Sequence, residues 1–409
     1  MSVKEKDKLL VIMDSYYPDS RATTHIMQRI LEGLSKEYEI TVFVLNLLKR
    51  VDTINAIGEF NGVTIKYIEP LDYSSLFKRS VNKVKKFLVD SKYKRKYKVT
   101  YKYFELKNYS LQIRRFIIRS NIKKLISVSS PNDIHICANM VVEGRPDIKW
   151  FPVCFDPHAY NVSYSEDFRI KLVFEETVLY DRAQRIFMLT QSENDYKDSV
   201  FHEKIVFFDI PLNNVLYKIK NKNNNSIVLT YVGNFYREIR NPDRMLKILA
   251  QLKNDAVIYL IGDFSGWGNE LSDYLGKWNS IFGDKLHIIG RLDRAIAKDY
   301  IEQSDILINI GNKTDNQCPS KVLDYISTGK PIIHFKQIDN CSSMIYLEKY
   351  PLLLTIGPND DTNNAADKIR VFIQNNRGKM APNALIEKLY EKNLLPNITE
   401  LFKTVIEFC

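Results

Sequence analysis

The run Pro319-Ser320-Lys321-Val322-Leu323-Asp324 carries the clearest chemical signal in the chain. Proline is favoured at the first position of a helix, and here an apolar run and a polar loop precede it. Residues 306–335 therefore read as strand, loop, helix and strand, with Gly329 ending the helix and Pro331 opening the second apolar run. A helix that opens beyond the C-terminal end of a strand turns its N–H groups and its positive dipole end into that space, which suits a phosphate. Lys321 would add a charge there, and Asp324, one turn on, would accept from ribose hydroxyls. A βαβ unit that binds nothing accounts for the same pattern equally well.

The stretch PSKVLDYISTGKPII also resembles the donor-binding segment of family 4 glycosyltransferases, in the branch with a P-S/N-K-x-x-E-Y-x-x-x-G-K-P pattern. The resemblance covers most of residues 227–335 and, more loosely, the first half of the chain. It implies an α/β protein of the GT-B type, two Rossmann-like doubly wound domains facing across a cleft, and retaining transfer of a sugar from a nucleotide-sugar donor. In that family two glutamates eight positions apart flank the donor sugar and the ribose. Here the ribose position falls on Asp324 and the sugar-side position on Asn316, which is not an acid.

Other residues take roles from the same resemblance. Gly233 and Asn234 open the loop where the family grips the donor's diphosphate; the usual Lys-Gly pair is missing, and Arg237 and Arg240 are the available cations. A planar guanidinium grips phosphate oxygens bidentately, so the exchange is chemically sound. Gly290-Arg291-Leu292 is similar to the loop beside the nucleobase, so Arg291 and Leu292 join the donor set with Pro319 and Ser320. In Phe155-Asp156-Pro157-His158, His158 matches a cleft histidine that contacts the donor sugar, with Asp156 its neighbour. Without the resemblance His158 is an exposed loop residue. Related enzymes often carry glycines after the first strand, near the acceptor; Ser20-Arg21-Ala22-Thr23 stand there instead. Arg21 and Thr23 are thus acceptor candidates, Arg21 for an acceptor phosphate or as a solvated loop arginine.

The elements that must hold these residues alternate along the chain. Strand Lys8–Met13, helix Thr23–Leu34 and strand Ile40–Leu45 open a doubly wound domain, without a G-x-G-x-x-G fingerprint. Further strands are expected over 63–68, 125–128, 150–154 and 205–208, with a helix over 133–142. Residues 174–191 read as helix then strand, with Glu175, Glu176 and Arg182 capping and solvating the helix, and Ser192 as an N-cap. The polar run 218–226 reads as a linker. Beyond it, strands over 227–232, 257–261, 286–289, 306–310 and 332–335 alternate with helices over 242–252, 267–278 and 294–303, which predicts a second parallel sheet. Helices over 362–376 and about 383–408 finish the chain. The expected organisation is an acceptor-binding domain over 1–213, a linker over 214–226, a nucleotide-sugar-binding domain over 227–380, and terminal helices over 381–409 crossing back to the first domain.

The 409 residues carry a net charge of +10, unevenly spread. Between Lys78 and Lys124 stand 17 Lys/Arg against Asp90 and Glu105, which leaves the rest of the chain net acidic. Basic residues interleaved with Tyr and Phe over 74–124 fit an anionic membrane surface met from one side. The same composition can bind nucleic acid, or form a solvated basic helical hairpin; the expectation taken is the membrane, with no nucleic-acid partner. No apolar run is long enough to span a bilayer, and the N-terminus enters a strand directly, which reads as no signal peptide. Five scattered cysteines point to a reducing compartment and no structural zinc. The expected location is cytoplasmic, at the inner face of a membrane.

No two aspartates are separated by a single residue, so a D-x-D metal motif is absent. Protein groups are therefore expected to neutralise the diphosphate, with no metal and no cofactor beyond the nucleotide-sugar substrate. The expected acceptor is a glycan or a lipid-linked glycan. The alternative is a non-catalytic partner or chaperone of another glycosyltransferase with the same fold, favoured by Asn316.

Overall fold

The computed structural model describes residues 6–17, 21–45, 47, 58–68, 103–129, 132–156, 158–160, 164–213 and 226–409. Most of the basic run over 78–124, Ser20, Pro157 and the expected linker as far as residue 225 lie outside the described residues. The chain forms two compact units, residues 1–209 with 395–409 and residues 210–394.

The first unit is built on β1 (Asp7–Met13), α1 (Ala22–Leu34), β2 (Tyr38–Val44), β3 (Gly58–Phe60), β4 (Val63–Tyr67), α2 (Tyr103–Ser120), β5 (Lys124–Val128), α3 (Asp133–Val142), β6 (Lys149–Cys154), α4 (Glu166–Tyr180), β7 (Ile186–Leu189), α5 (Glu193–Tyr196) and β8 (Ile205–Phe208). Its sheet runs β3-β4-β2-β1-β5-β6-β7-β8, parallel except for the β3–β4 hairpin. Strands such as Leu9–Ile12 are fully buried because helices cover both faces, hence their unbroken apolar character. Arg114 of α2 donates to the carbonyls of Val141 (2.9 Å) and Met140 (2.6 Å), which caps the C-terminal end of α3. The helix expected from residue 174 starts at Glu166 instead, and Ser192 makes no side-chain capping bond to α5.

The second unit contains β9 (Ile227–Val232), β10 (Phe235–Tyr236), α6 (Asp243–Leu249), β11 (Ala256–Ile261), β12 (Phe264–Ser265), α7 (Leu271–Phe282), β13 (Leu286–Ile289), α8 (Arg294–Gln303), β14 (Ile306–Ile310), α9 (Lys321–Ile326), β15 (Ile332–Phe335), α10 (Met344–Leu347), β16 (Leu353–Ile356), α11 (Thr362–Asn376) and α12 (Asn383–Leu389). Its parallel sheet runs β13-β11-β9-β14-β15-β16, and β10 pairs with β12 in a small second sheet. That small sheet forces the loops after β9 and β11 together. A Cβ on Gly262 would lie 2.0 Å from the Gly233 carbonyl oxygen, and Gly262 has φ +147°, so glycine is required there.

The single helix expected near 383–408 is broken. The chain leaves α12, turns through Glu391–Asn393 and re-enters as α13 (Leu395–Phe408), which belongs to the first unit. Phe402 of α13 stacks on Phe187 of β7 at 3.9 Å, and Gly33 of α1 makes room for Thr399.

Candidate functional site

In both units the strand order reverses beside the first strand, between β1 and β5 and between β9 and β14. In open α/β sheets the crevice outside the carboxyl ends of the strands at such a reversal is where ligands bind. In each unit the residues singled out from the sequence come after the carboxyl ends of strands.

In the second unit Tyr325 fixes α9 to the end of β9. Its hydroxyl accepts from the Val232 N–H at 2.7 Å and donates to the Val232 carbonyl at 3.2 Å. This brings Asp324, half-buried, to the strand ends. Asp324 is the centre of a charged cluster: Lys321 Nζ lies 3.2 Å from Oδ2, Arg294 Nη2 lies 3.5 Å from Oδ1, and the Asn213 amide also donates to Oδ1. Asn213 is in turn held by its N–H to Ser327 Oγ at 3.0 Å. The helix begins at Lys321 rather than Pro319, and its first turn is tight: the N–H groups of Val322 and Leu323 bond the carbonyls of Pro319 and Ser320. Fewer N–H groups therefore remain open to a ligand than the sequence led us to expect.

The two arginines of the β9 loop have separate surroundings. Arg240 is drawn inward. Asn312 Oδ1 accepts from its Nε (2.9 Å) and Nη2 (2.7 Å), and the Asn234 carbonyl accepts from Nη1 at 3.2 Å. Arg237 is turned to the surface, where Nη2 pairs with Glu270 at 2.8 Å. The Lys313 N–H bonds the Ile239 carbonyl at 2.8 Å and stitches the β14 loop to the β9 loop. Asn316 and Pro319 are buried in that loop, while Arg291 is exposed and Leu292 half-buried between β13 and α8. Sequence reasoning missed Arg294, at the start of α8, and Asn312, both polar partners of residues it had chosen.

The first unit holds Arg21, Thr23, Asp156 and His158. Arg21 does not point outward for a phosphate. Its guanidinium donates to Ser15 and lies 3.6 Å from the buried carboxylate of Asp14. Arg21, Thr23, Asp14 and Ser129 line a cavity of about 170 Å³ at the ends of β1 and β5. Asp133, at the start of α3, has its carboxyl pushed up to about 6 by burial, with the Asp14 charge adding to it. Asp156 is exposed, and burial lowers the His158 imidazole below its ordinary value. The deeper His135 bonds Ser127 Oγ at 2.7 Å and approaches Cys154 Sγ at 3.5 Å; burial, with His158 nearby, pushes it down to about 3.

Glu176 departs from its expected solvated role. It is buried on α4, where Oε1 accepts from the Ala159 N–H at 3.3 Å and both oxygens are met by the Tyr196 hydroxyl at 3.2 and 3.1 Å. It thereby anchors the backbone next to His158. Burial pushes its carboxyl up to about 8.

No protein-family model and no curated protein sequence matches the chain. Solved structures do. The Anabaena protein Alr3699/HepE, in complex with UDP and glucose, is 10% identical and superposes with a TM-score of 0.66 over 98% of this chain and 100% of that one. A glycosyltransferase from Rickettsia africae is 12% identical, with a TM-score of 0.62 over 99% and 100%. Sucrose-phosphate synthase from Thermosynechococcus elongatus is 11% identical, with a TM-score of 0.60 over 98% and 97%. What the chain shares with them at such identities is the fold, a GT-B protein with two Rossmann-like units.

Proposed function

We propose that the chain is a glycosyltransferase that moves a sugar from a nucleotide-sugar donor to a glycan or lipid-linked glycan acceptor. Asp324 carries this reading. A carboxylate held by Lys321 and Arg294 outside the strand ends, at the sheet reversal, offers acceptors for a ribose diol and cations for a diphosphate in one place. The fold shared with an Anabaena protein in complex with UDP and glucose supports it.

In the proposed reaction Asp324 accepts from the ribose hydroxyls, while Arg240, Lys321 and the Ser320 N–H face the diphosphate. Negative charge grows on the diphosphate as the sugar–phosphate bond breaks, so those donors act most strongly in the transition state. The resemblance to family 4 supports retention of anomeric configuration, with His158 and Asn316 on the sugar side. The missing D-x-D motif supports a donor site that works without metal. The basic run over 78–124 supports an acceptor at an anionic membrane face, met from the cytoplasm, and among the described residues no helix is long and apolar enough to cross a membrane.

Calorimetry with UDP, GDP, CDP and dTDP, with and without Mg²⁺, tests the donor site. One nucleotide should bind without metal, and Asp324→Ala should abolish its binding. No binding by any of them would overturn the reading. A second reading is favoured by Asn316 in place of an acid: a non-catalytic partner of another transferase, which would bind the nucleotide without turning over its sugar derivative.

A further inference from the structure

A cavity of about 550 Å³ lies on the β13 edge of the second unit's sheet, lined by none of the residues of the Asp324 cluster. That size is within the roughly 300–1,000 Å³ typical of small-molecule sites. Three rings from three elements make its floor. Tyr259 of β11 stacks on His287 of β13 at 4.7 Å and 19°, as the parallel register requires, and Tyr300 of α8 leans on Tyr259 at 5.4 Å. Asn279 and Asp284, at the end of α7 and just beyond it, close one side.

The polar ends of this shelf are not used by the fold. The hydroxyls of Tyr259 and Tyr300, the His287 ring nitrogens and the Asn279 amide make no hydrogen bond to another described residue. Aromatic residues that pack as a platform usually find partners for their polar tips when these serve the core. Here the rings stay half-exposed and the tips remain available around a concave surface.

The chemistry of the lining selects the occupant. No Lys or Arg lines the cavity and one acid does, so a phosphate-bearing ligand has no counter-charge. Leu286, Ile288 and Ile289 also line it, but the tyrosine hydroxyls, the imidazole and the amide would be left unpaired against an acyl chain. A pyranose fits both halves: its C–H face packs on an aromatic ring, and its hydroxyls pair with neutral donors and acceptors and with a carboxylate. We propose that this shelf is a second carbohydrate-binding site, separate from the donor site, which takes one or two neutral sugar units of a longer glycan.

Saturation-transfer NMR on the full chain tests it, with neutral di- and trisaccharides of glucose, galactose, mannose and N-acetylglucosamine as probes. At least one should bind, and Tyr300→Ala and His287→Ala should each weaken it about tenfold, the loss of roughly 1.4 kcal/mol. Tyr300→Phe, which keeps the ring, should retain most of the binding. Binding of the nucleotide identified by calorimetry should stay within about twofold of wild type in all three variants, since the shelf and Asp324 share no residue. Absence of saccharide binding, or saccharide binding unmoved by both alanine variants, overturns the shelf. Loss of nucleotide binding in the wild type would instead overturn the proposed transferase and leave the saccharide measurement to stand by itself.

Discussion

Arg294 Nη2 lies 3.5 Å from Asp324 Oδ1, joining the first turn of α8 to α9 beyond the strand ends. Lys321 holds the other carboxylate oxygen at 3.2 Å, so the carboxylate plane is fixed from two sides. A side chain fixed before the ligand arrives loses less freedom on binding. Arg294→Ala should therefore weaken nucleotide binding by about tenfold, and Arg294→Lys should recover part of it. The effect should vanish in the Asp324→Asn background, which keeps an acceptor for the ribose but no charge for Arg294 to hold. Equal losses in both backgrounds, measured by calorimetry, would mean that Arg294 contacts the nucleotide on its own account.

The pairing of Arg240 with Asn312 makes a different demand. One amide oxygen takes two guanidinium N–H groups at 2.9 and 2.7 Å, and so aims the arginine. Asn312→Leu would take away two hydrogen bonds of that half-buried guanidinium, at a cost of about 1–3 kcal/mol in stability. Arg240→Lys should not restore the geometry, since an ammonium cannot meet Asn312 and the Asn234 carbonyl with the same fork. Urea denaturation reads the stability, and calorimetry with the bound nucleotide reads the aim. An Asn312→Leu variant with wild-type stability and affinity would remove Asn312 from the site.

These two pairs also mark what the sequence could and could not disclose. Strands such as Ile227–Val232 and Ile306–Ile310 fall where they were expected, because a parallel strand buried on both faces is an apolar run between turn residues. Helix α4 was harder. Ile170 and Phe174 are 64% and 66% exposed, so its apolar residues do not mark the buried face and its true start is hidden. The break after α12 had a signal in Pro396, which belongs near a helix start. Arg294 and Asn312 had none, since each owes its importance to a partner far away in the chain. Glu176 misled because an acid on a helix reads as solvated until the fold buries it.

Glu176 gives the clearest pH dependence. Its folded pKa of about 8 lies above the ordinary 4.5, so the unfolded chain releases this proton first. The stabilising contribution is full below about pH 4.5 and is lost as pH rises through about 8. Glu176→Gln keeps an acceptor for the Ala159 N–H and carries no proton to lose. The wild type should therefore lose stability from about pH 6 to 8 while the variant stays flatter, read from urea midpoints across that range. Parallel pH profiles would show that Glu176 ionises freely in the folded protein.

The outer face of α2 offers a test of the proposed membrane surface. Lys107, Leu111, Arg115, Ile118 and Arg119 recur at helical spacing and are exposed, Leu111 at 43% and Ile118 at 63%. Arg114, Lys123 and Lys124 are spent on the fold, by capping α3 and by pairing with Asp147 and Asp7. Lys107, Arg115 and Arg119 make no ion pair with a described residue. A basic charge near an anionic leaflet is worth about 1 kcal/mol, so replacing these three by Gln should weaken partition onto phosphatidylserine vesicles by about 3 kcal/mol, more than a hundredfold. Leu111→Ser with Ile118→Ser should weaken it further at high salt, where the apolar contacts carry what binding remains. Substituting Glu at Lys83, Lys85, Lys86, Lys94, Arg95 and Lys96 should abolish it. Co-sedimentation that is unchanged in the Gln and Glu variants would remove the membrane from the proposed function and leave the basic run as a solvated surface.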